Sequence, residues 1–194
     1  MHTTPNPALS RHLTFVRHGA TEANLAGLRC GGDLDVPLTD FGRRQAAEAA
    51  LRIRELCMPV GLIVTSALKR THETAAIIAR MLQGVEVIVE PAFAERRLGE
   101  WNLRSAAETQ AALVQGVTPP GGESNPEFLA RIRDAMESLL PRLDEQPLLV
   151  GSKGVARAMG ELLGLQGRHD LSNGQLAHFD LAAFAERSAA GCTA

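Results

Sequence analysis

The feature that most limits how this chain can fold is a regular exchange of two hydrophobic rhythms. Short apolar runs alternate with longer stretches in which apolar residues recur every three or four positions. Leu13-Thr14-Phe15-Val16 reads as a first buried strand. Thr39 then caps a helix over residues 40–57, with Ala46, Ala50, Ile53 and Leu56/Cys57 turned to the core. Leu62-Ile63-Val64 is a second strand. Ser66 caps a helix reaching to about Leu82, with Leu68, Ala75, Ile78 and Leu82 on one face. Val85 to Val89 is β-branched and bounded by Gly84 and Pro91, a third strand. A short helix is expected around Ser105 to Val114, and Pro119-Pro120-Gly121-Gly122 breaks the chain. Ser124 and Glu127 have the spacing of a capping box, before a helix that carries Phe128, Ile132, Ala135/Met136 and Leu139 inward. Pro147 opens a fourth strand, Leu148-Leu149-Val150, followed by a helix from about Val155 to Leu163. A last strand is expected near Leu176 to Leu181, with the Ala-rich end extending as a short helix. Strands that alternate with helices imply an α/β fold, a three-layer α/β/α sandwich around a mostly parallel sheet.

Composition supports a globular chain. Of 194 residues, 45% are hydrophobic and 22% charged, near the globular averages. The expected organisation is one domain over residues 11–187 with a small insertion near 91–122. Residues 1–10 and 188–194 are expected to be flexible. Lys and Arg total 20 against 22 Asp and Glu, so charge balance gives no reason to expect nucleic acid or a membrane surface as partner. No run approaches the ~20 apolar residues of a membrane span. Cys30, Cys57 and Cys192 are scattered and odd in number, which argues against a disulfide framework or a zinc site. Cys57 is expected in the core. A soluble cytoplasmic protein is the expectation, with a homodimer as the default assembly.

In open α/β sheets the ligand site lies beyond the carboxyl ends of the strands. Arg17-His18-Gly19 follows the first strand, Ser66 to Arg70 the second, Glu95-Arg96-Arg97 the third at a short distance, and Gly151-Ser152-Lys153-Gly154 the fourth. Independent segments thus bring arginines, a histidine, a lysine and a carboxylate to one edge. Ser66 and Gly154 open helices there, whose free N–H groups favour anions, and guanidinium groups match phosphate oxygens. Each residue alone has a plainer reading: a single Arg-His pair is ordinarily structural, Arg70 a solvated charge, Glu95 a partner of its neighbouring arginines. The Gly151-to-Gly154 run lacks the spacing of a nucleotide-binding loop. Their combination at one sheet edge points to a phosphate pocket with an imidazole inside.

These segments resemble the histidine phosphatase, or phosphoglycerate mutase-like, superfamily from about Leu13 to Leu181. The resemblance is carried by Arg17-His18-Gly19-Ala20-Thr21-Glu22 with Asn24, by Asp35 to Thr39 and Gly42 to Ala46, and by Thr65 to Ala75. Glu95 to Trp101 and Pro120 to Ser124 extend it, in order. It implies a cofactor-independent phosphomonoesterase acting on a small phosphate ester in a phosphoglycerate mutase-like fold. His18 would be the phosphorylated nucleophile and Arg17, Arg70 and Asn24 the phosphate clamp. Glu95 would protonate the leaving oxygen and then activate water.

One block departs from the family. Ser152 falls where the family carries a second histidine, and Lys153 where it carries glycine. Serine donates a hydrogen bond but brings no charge; Lys153 either turns inward and restores it or points to solvent. Loss of one preorganised donor typically costs ~10²–10³ in rate. The alternatives are therefore a slow or re-tuned phosphatase and a phosphate-binding protein without turnover. A phosphoglycerate mutase is the third reading, disfavoured because the mutases of the family carry a longer insertion after the acid. Thr21, Arg29, Arg97 and Trp101 are expected substrate contacts, with Trp101 also readable as core. His72, His169 and His178 are expected to be structural or solvated.

Overall fold

Parity along the strands divides the core in two. Leu13, Phe15, Leu62, Val64 and Leu149 pack on one face of the sheet, and Val16, Ile63, Leu148 and Val150 on the other. The computed structural model describes residues 11–166 and 170–191. Its strands are β1 (His12–Arg17), β2 (Leu62–Thr65), β3 (Glu86–Val89), β4 (Pro147–Gly151) and β5 (Leu176–Asp180), in the order β3-β2-β4-β1-β5. The first four are parallel, and β5 runs antiparallel to β1 at the edge. The register sets Arg17 beside Gly151 and Thr65 beside Val150, so the residues after β1, β2 and β4 emerge at one end.

The helices are α1 (Glu22–Leu25), α2 (Asp40–Glu55), α3 (Lys69–Met81), α4 (Ala106–Val114), α5 (Asn125–Leu139), α6 (Lys153–Leu162) and α7 (Ala182–Gly191). α2 and α3 cover one face through Ala49, Ala50, Ile53, Ala75 and Ile78. α5 and α6 cover the other, with Phe128, Ile132, Met136, Val155 and Met159 buried. The expected inward residues of α5 are all buried, and the Ser124–Glu127 capping box forms. The segment between β3 and α5 holds 3-10 turns at Pro91–Phe93 and Gly99–Trp101, and α4.

Two expectations need correction. Ser66 does not cap α3, which begins at Lys69. Its hydroxyl pairs with Thr71 Oγ1 at 2.8 Å, and Asp35 Oδ1 instead takes the Lys69 N–H at 2.7 Å, a cap supplied from a distant segment. Leu56 and Cys57 are exposed rather than core. α2 ends two residues sooner, and Cys57 turns left-handed at φ 49° with its N–H on Arg54 O, which carries both side chains off the buried stripe. The short helix expected for the Ala-rich end is α7, which runs to Gly191. Residues 1–10, His169 and Cys192 lie outside the described residues. Among the described residues no helix is long and apolar enough to cross a membrane.

Candidate active site

The loop after β1 is fixed from three sides. The His18 N–H continues the strand ladder to Gly151 O at 2.9 Å. Gly19 touches the first turn of α2 so closely that a Cβ would lie 2.1 Å from Gly42 O, so glycine is required on both sides of this contact. The Gly19 N–H donates to Thr74 Oγ1 at 3.2 Å, and the same hydroxyl donates to Arg70 O at 2.7 Å. This ties the loop to α3. The His18 carbonyl accepts from Asn173 Nδ2 at 2.9 Å.

His18 itself is buried, and its Nδ1 lies 2.7 Å from Gly19 O. A carbonyl only accepts, so Nδ1 carries the proton and Nε2 keeps its lone pair in the neutral ring. Burial, then the charges of Arg70 and Arg17, hold the imidazole well below its usual range; the Gly19 bond opposes them weakly. Such a ring stays neutral and can act as a nucleophile.

Arg70 is fully buried, with Nη1 on Leu34 O at 2.9 Å and Nη2 on Gly31 O at 3.1 Å. Arg17 places Nη1 on Leu171 O at 2.7 Å, and burial lowers its pKa. Neither Nε has a partner, and both are buried. Ser152 begins α6 but makes no capping bond; its Oγ is also buried and unpartnered. Buried polar atoms are nearly always satisfied, so these orphans are unusual; Arg96 Nη2 is a fourth.

Glu95 reaches the same end of the sheet from beyond β3. Its Oε1 accepts from Arg96 N at 2.8 Å and its Oε2 from Gly154 N, in the first turn of α6, at 2.9 Å. Arg131 fixes the segment beneath it, donating to Ala92 O at 2.7 Å and Ala94 O at 2.9 Å, and to buried Glu123 at 2.9 and 2.7 Å.

A cavity of about 810 Å³ opens over these groups, lined among others by Arg17, His18, Asn24, Arg29, Glu95 and Lys153. Arg70 and Ser152 are not among its lining residues, but the Arg70 charge acts on His18. The Lys153 ammonium sits at the edge, 3.6 Å from Asp170 Oδ1, a carboxylate that Arg157 also holds. Asn24 Oδ1 accepts from the Thr21 N–H at 3.2 Å and from Asn173 Nδ2 at 3.2 Å, which leaves its own Nδ2 as a donor. Thr21 is buried and forms with Asn24 the capping box that opens α1; Trp101 is buried and Arg97 exposed, and none of the three lines the cavity. His72 and His178 are exposed. Among the described residues no cluster of His, Cys, Asp or Glu is arranged to hold a metal ion. Sequence reasoning missed Thr74, Arg131 and Asn173, whose bonds to Gly19, Ala94 and His18 span 37 to 155 positions and leave no local signal.

The model of the "histidine phosphatase superfamily (branch 1)" matches residues 13–185. The chain belongs to that superfamily. It is similar to a probable phosphoglycerate mutase GpmB of Photorhabdus laumondii, 39% identical over 165 residues covering 78% of this chain and 74% of that protein. It is also similar to the fructose-2,6-bisphosphatase TIGAR B of Danio rerio, 32% identical over 69% of this chain and 55% of that one. Among solved structures, a mycobacterial glucosyl-3-phosphoglycerate phosphatase in complex with VO3 superposes with a TM-score of 0.73. That pair shares 29% identity and covers 87% of this chain and 90% of that chain.

Proposed function

We propose that this superfamily member is a phosphomonoesterase working through a phosphohistidine on His18. The observation that carries the reading is that three of the four buried, partnerless side-chain polar atoms among the described residues, Arg17 Nε, Arg70 Nε and Ser152 Oγ (the fourth is Arg96 Nη2), lie on segments adjoining an imidazole with an unprotonated Nε2. A phosphoryl group satisfies all three, and Asn24 Nδ2 adds a fourth donor.

His18 Nε2 attacks phosphorus, the bond to the ester oxygen breaks, and protonated Glu95 gives that oxygen its proton. The Glu95 carboxylate then takes a proton from water, the hydroxide attacks phosphorus, and the P–N bond breaks with its electron pair returned to Nε2. Arg17, Arg70 and the α6 N-terminus hold the spread negative charge throughout. Lys153 contributes charge from the cavity edge in place of the absent histidine, shared with Asp170.

The relatives named above include a probable mutase as well as phosphatases. A mutase must keep its phosphohistidine from water. Here the cover between Glu95 and α5 is limited to short turns and the nine-residue α4, which favours hydrolysis. Phosphate release from a panel of small esters by wild type and His18→Ala is the test; equal rates reject the reading. Tight vanadate binding with no turnover and no trapped phosphohistidine would favour a binding protein, the reading that Ser152 motivates.

A further inference from the structure

We infer that the ester bound in this cavity carries an apolar body, of aryl or branched-alkyl type, rather than a sugar; the inference rests on the phosphatase reading of the same site. The observation behind it is the outer wall. α4 has the sequence AAETQAALV, yet it buries only Thr109. Its last two residues, Leu113 and Val114, line the cavity, and Phe128, Leu129 and Leu165 line it from α5 and from beyond α6. Val114 is 56% exposed and Leu165 42% exposed, so part of this wall has nothing packed on it. It shares one cavity with His18, Arg17 and Glu95, so a phosphate seated on the imidazole projects its organic group against it.

Three cations of the cavity wall, Arg29, Lys153 and Arg157, are already engaged. Arg29 spends Nε on Thr109 Oγ1 at 2.8 Å and Nη2 on Ala106 O and Gln110 Oε1 at 3.0 Å, which pins α4 in place. Arg29 is therefore a positioning residue for the wall. Arg157 gives Nε and Nη2 to Asp170, and Lys153 pairs with the same carboxylate. Asn125, Glu161 and Arg96, whose Nη2 is buried without a partner, are further polar side chains of the lining, too few for the several hydroxyls of a sugar. A hexose phosphate brings several hydroxyls, and each one buried without a partner weakens binding. An aryl or branched-alkyl group needs none and covers the exposed Val114 and Leu165.

The test compares kcat/KM for 1-naphthyl, methyl and glucose 6-phosphate. The expected result is a preference of at least about tenfold for 1-naphthyl phosphate over both others, the scale of one well-filled apolar pocket. Val114→Asn should lower the naphthyl-to-methyl ratio about tenfold. Val117→Asn, exposed just past α4 and outside the cavity, should keep it. Glucose 6-phosphate as the better substrate, or an unchanged ratio in Val114→Asn, overturns the inference while leaving the phosphatase reading intact. If no ester is hydrolysed, the phosphatase reading fails instead. The ligand class is then decided by equilibrium binding of the same three esters, where the same order is expected and its reversal overturns the inference.

Discussion

Glu95 and Gly154 fit together so tightly that a Cβ on Gly154 would lie 2.0 Å from Glu95 Oε1, while the Gly154 N–H donates to Oε2 at 2.9 Å. Glycine at the start of α6 thus both admits the carboxylate and hydrogen-bonds it at the positive end of the helix. Gly154→Ala removes the space but improves helix propensity. The expected outcome is a fall in kcat of about 10²-fold, the scale of a displaced general acid. Vanadate affinity and Tm should hold. A kcat within twofold of wild type would count against Glu95 as the acid.

The depressed His18 pKa makes a signed prediction about stability. In the unfolded chain an imidazole titrates near 6.5. Below that pH the unfolded state takes up a proton that the buried ring, beside Arg70 and Arg17, refuses. The unfolded state then binds more protons, so stability is lost as the pH falls through 6.5 and is fully present above it. Urea midpoints measured from pH 7.5 to about 5.5 should decline, and His18→Gln should flatten that part of the curve. The acid limb of kcat should show no break at 6.5.

Much of the frame is legible in the strands and helices themselves, because burial on a sheet or helix face leaves a period in the sequence. Leu13 and Phe15, or Ile132 and Met136, announce their side of the core before any coordinate is known. Arg17, His18, Arg70 and Glu95 are legible as a group because strand ends converge in this topology. What is not legible is support through space. Asp35 caps α3, Thr74 holds Gly19, Asn173 holds His18, and Arg131 holds the backbone under Glu95. None of these pairings has a sequence period, since each joins elements whose separation is set by the fold. Thr21 is instructive in the same way: beside the Arg-His-Gly run it reads as a substrate contact, yet it is buried as the cap that orients Asn24.

Arg131 supplies a third prediction. Glu123 is buried at 2% exposure, and Arg131 is its charge partner at 2.7 Å. Removing the guanidinium strands a buried carboxylate and frees the carbonyls of Ala92 and Ala94. Arg131→Met should therefore destabilise the fold by about 3 kcal/mol, read as a lower urea midpoint at constant m-value. Arg131→Met combined with Glu123→Gln should cost less than the sum of the two, because the stranded charge is then gone. Strict additivity would mean that the pair is not what holds this segment.

Ser152 separates binding from stability most sharply. Its Oγ is buried and unpartnered, which costs about 1–3 kcal/mol when no ligand is present. Ser152→Ala removes that cost, so the unliganded protein should become more stable, by about 1 kcal/mol, a rise visible in the urea midpoint. If the hydroxyl serves the phosphoryl group, the same change should lower kcat by about 10²-fold and shrink the stabilisation that vanadate gives the wild type. Ser152→His tests the converse, since a ring at this position adds a donor and positive character. Turnover should rise if the missing donor limits the rate. A fall in Ser152→His together with full activity in Ser152→Ala would show that the hydroxyl does not touch the anion and that the Lys153 side of the cavity has taken over its role.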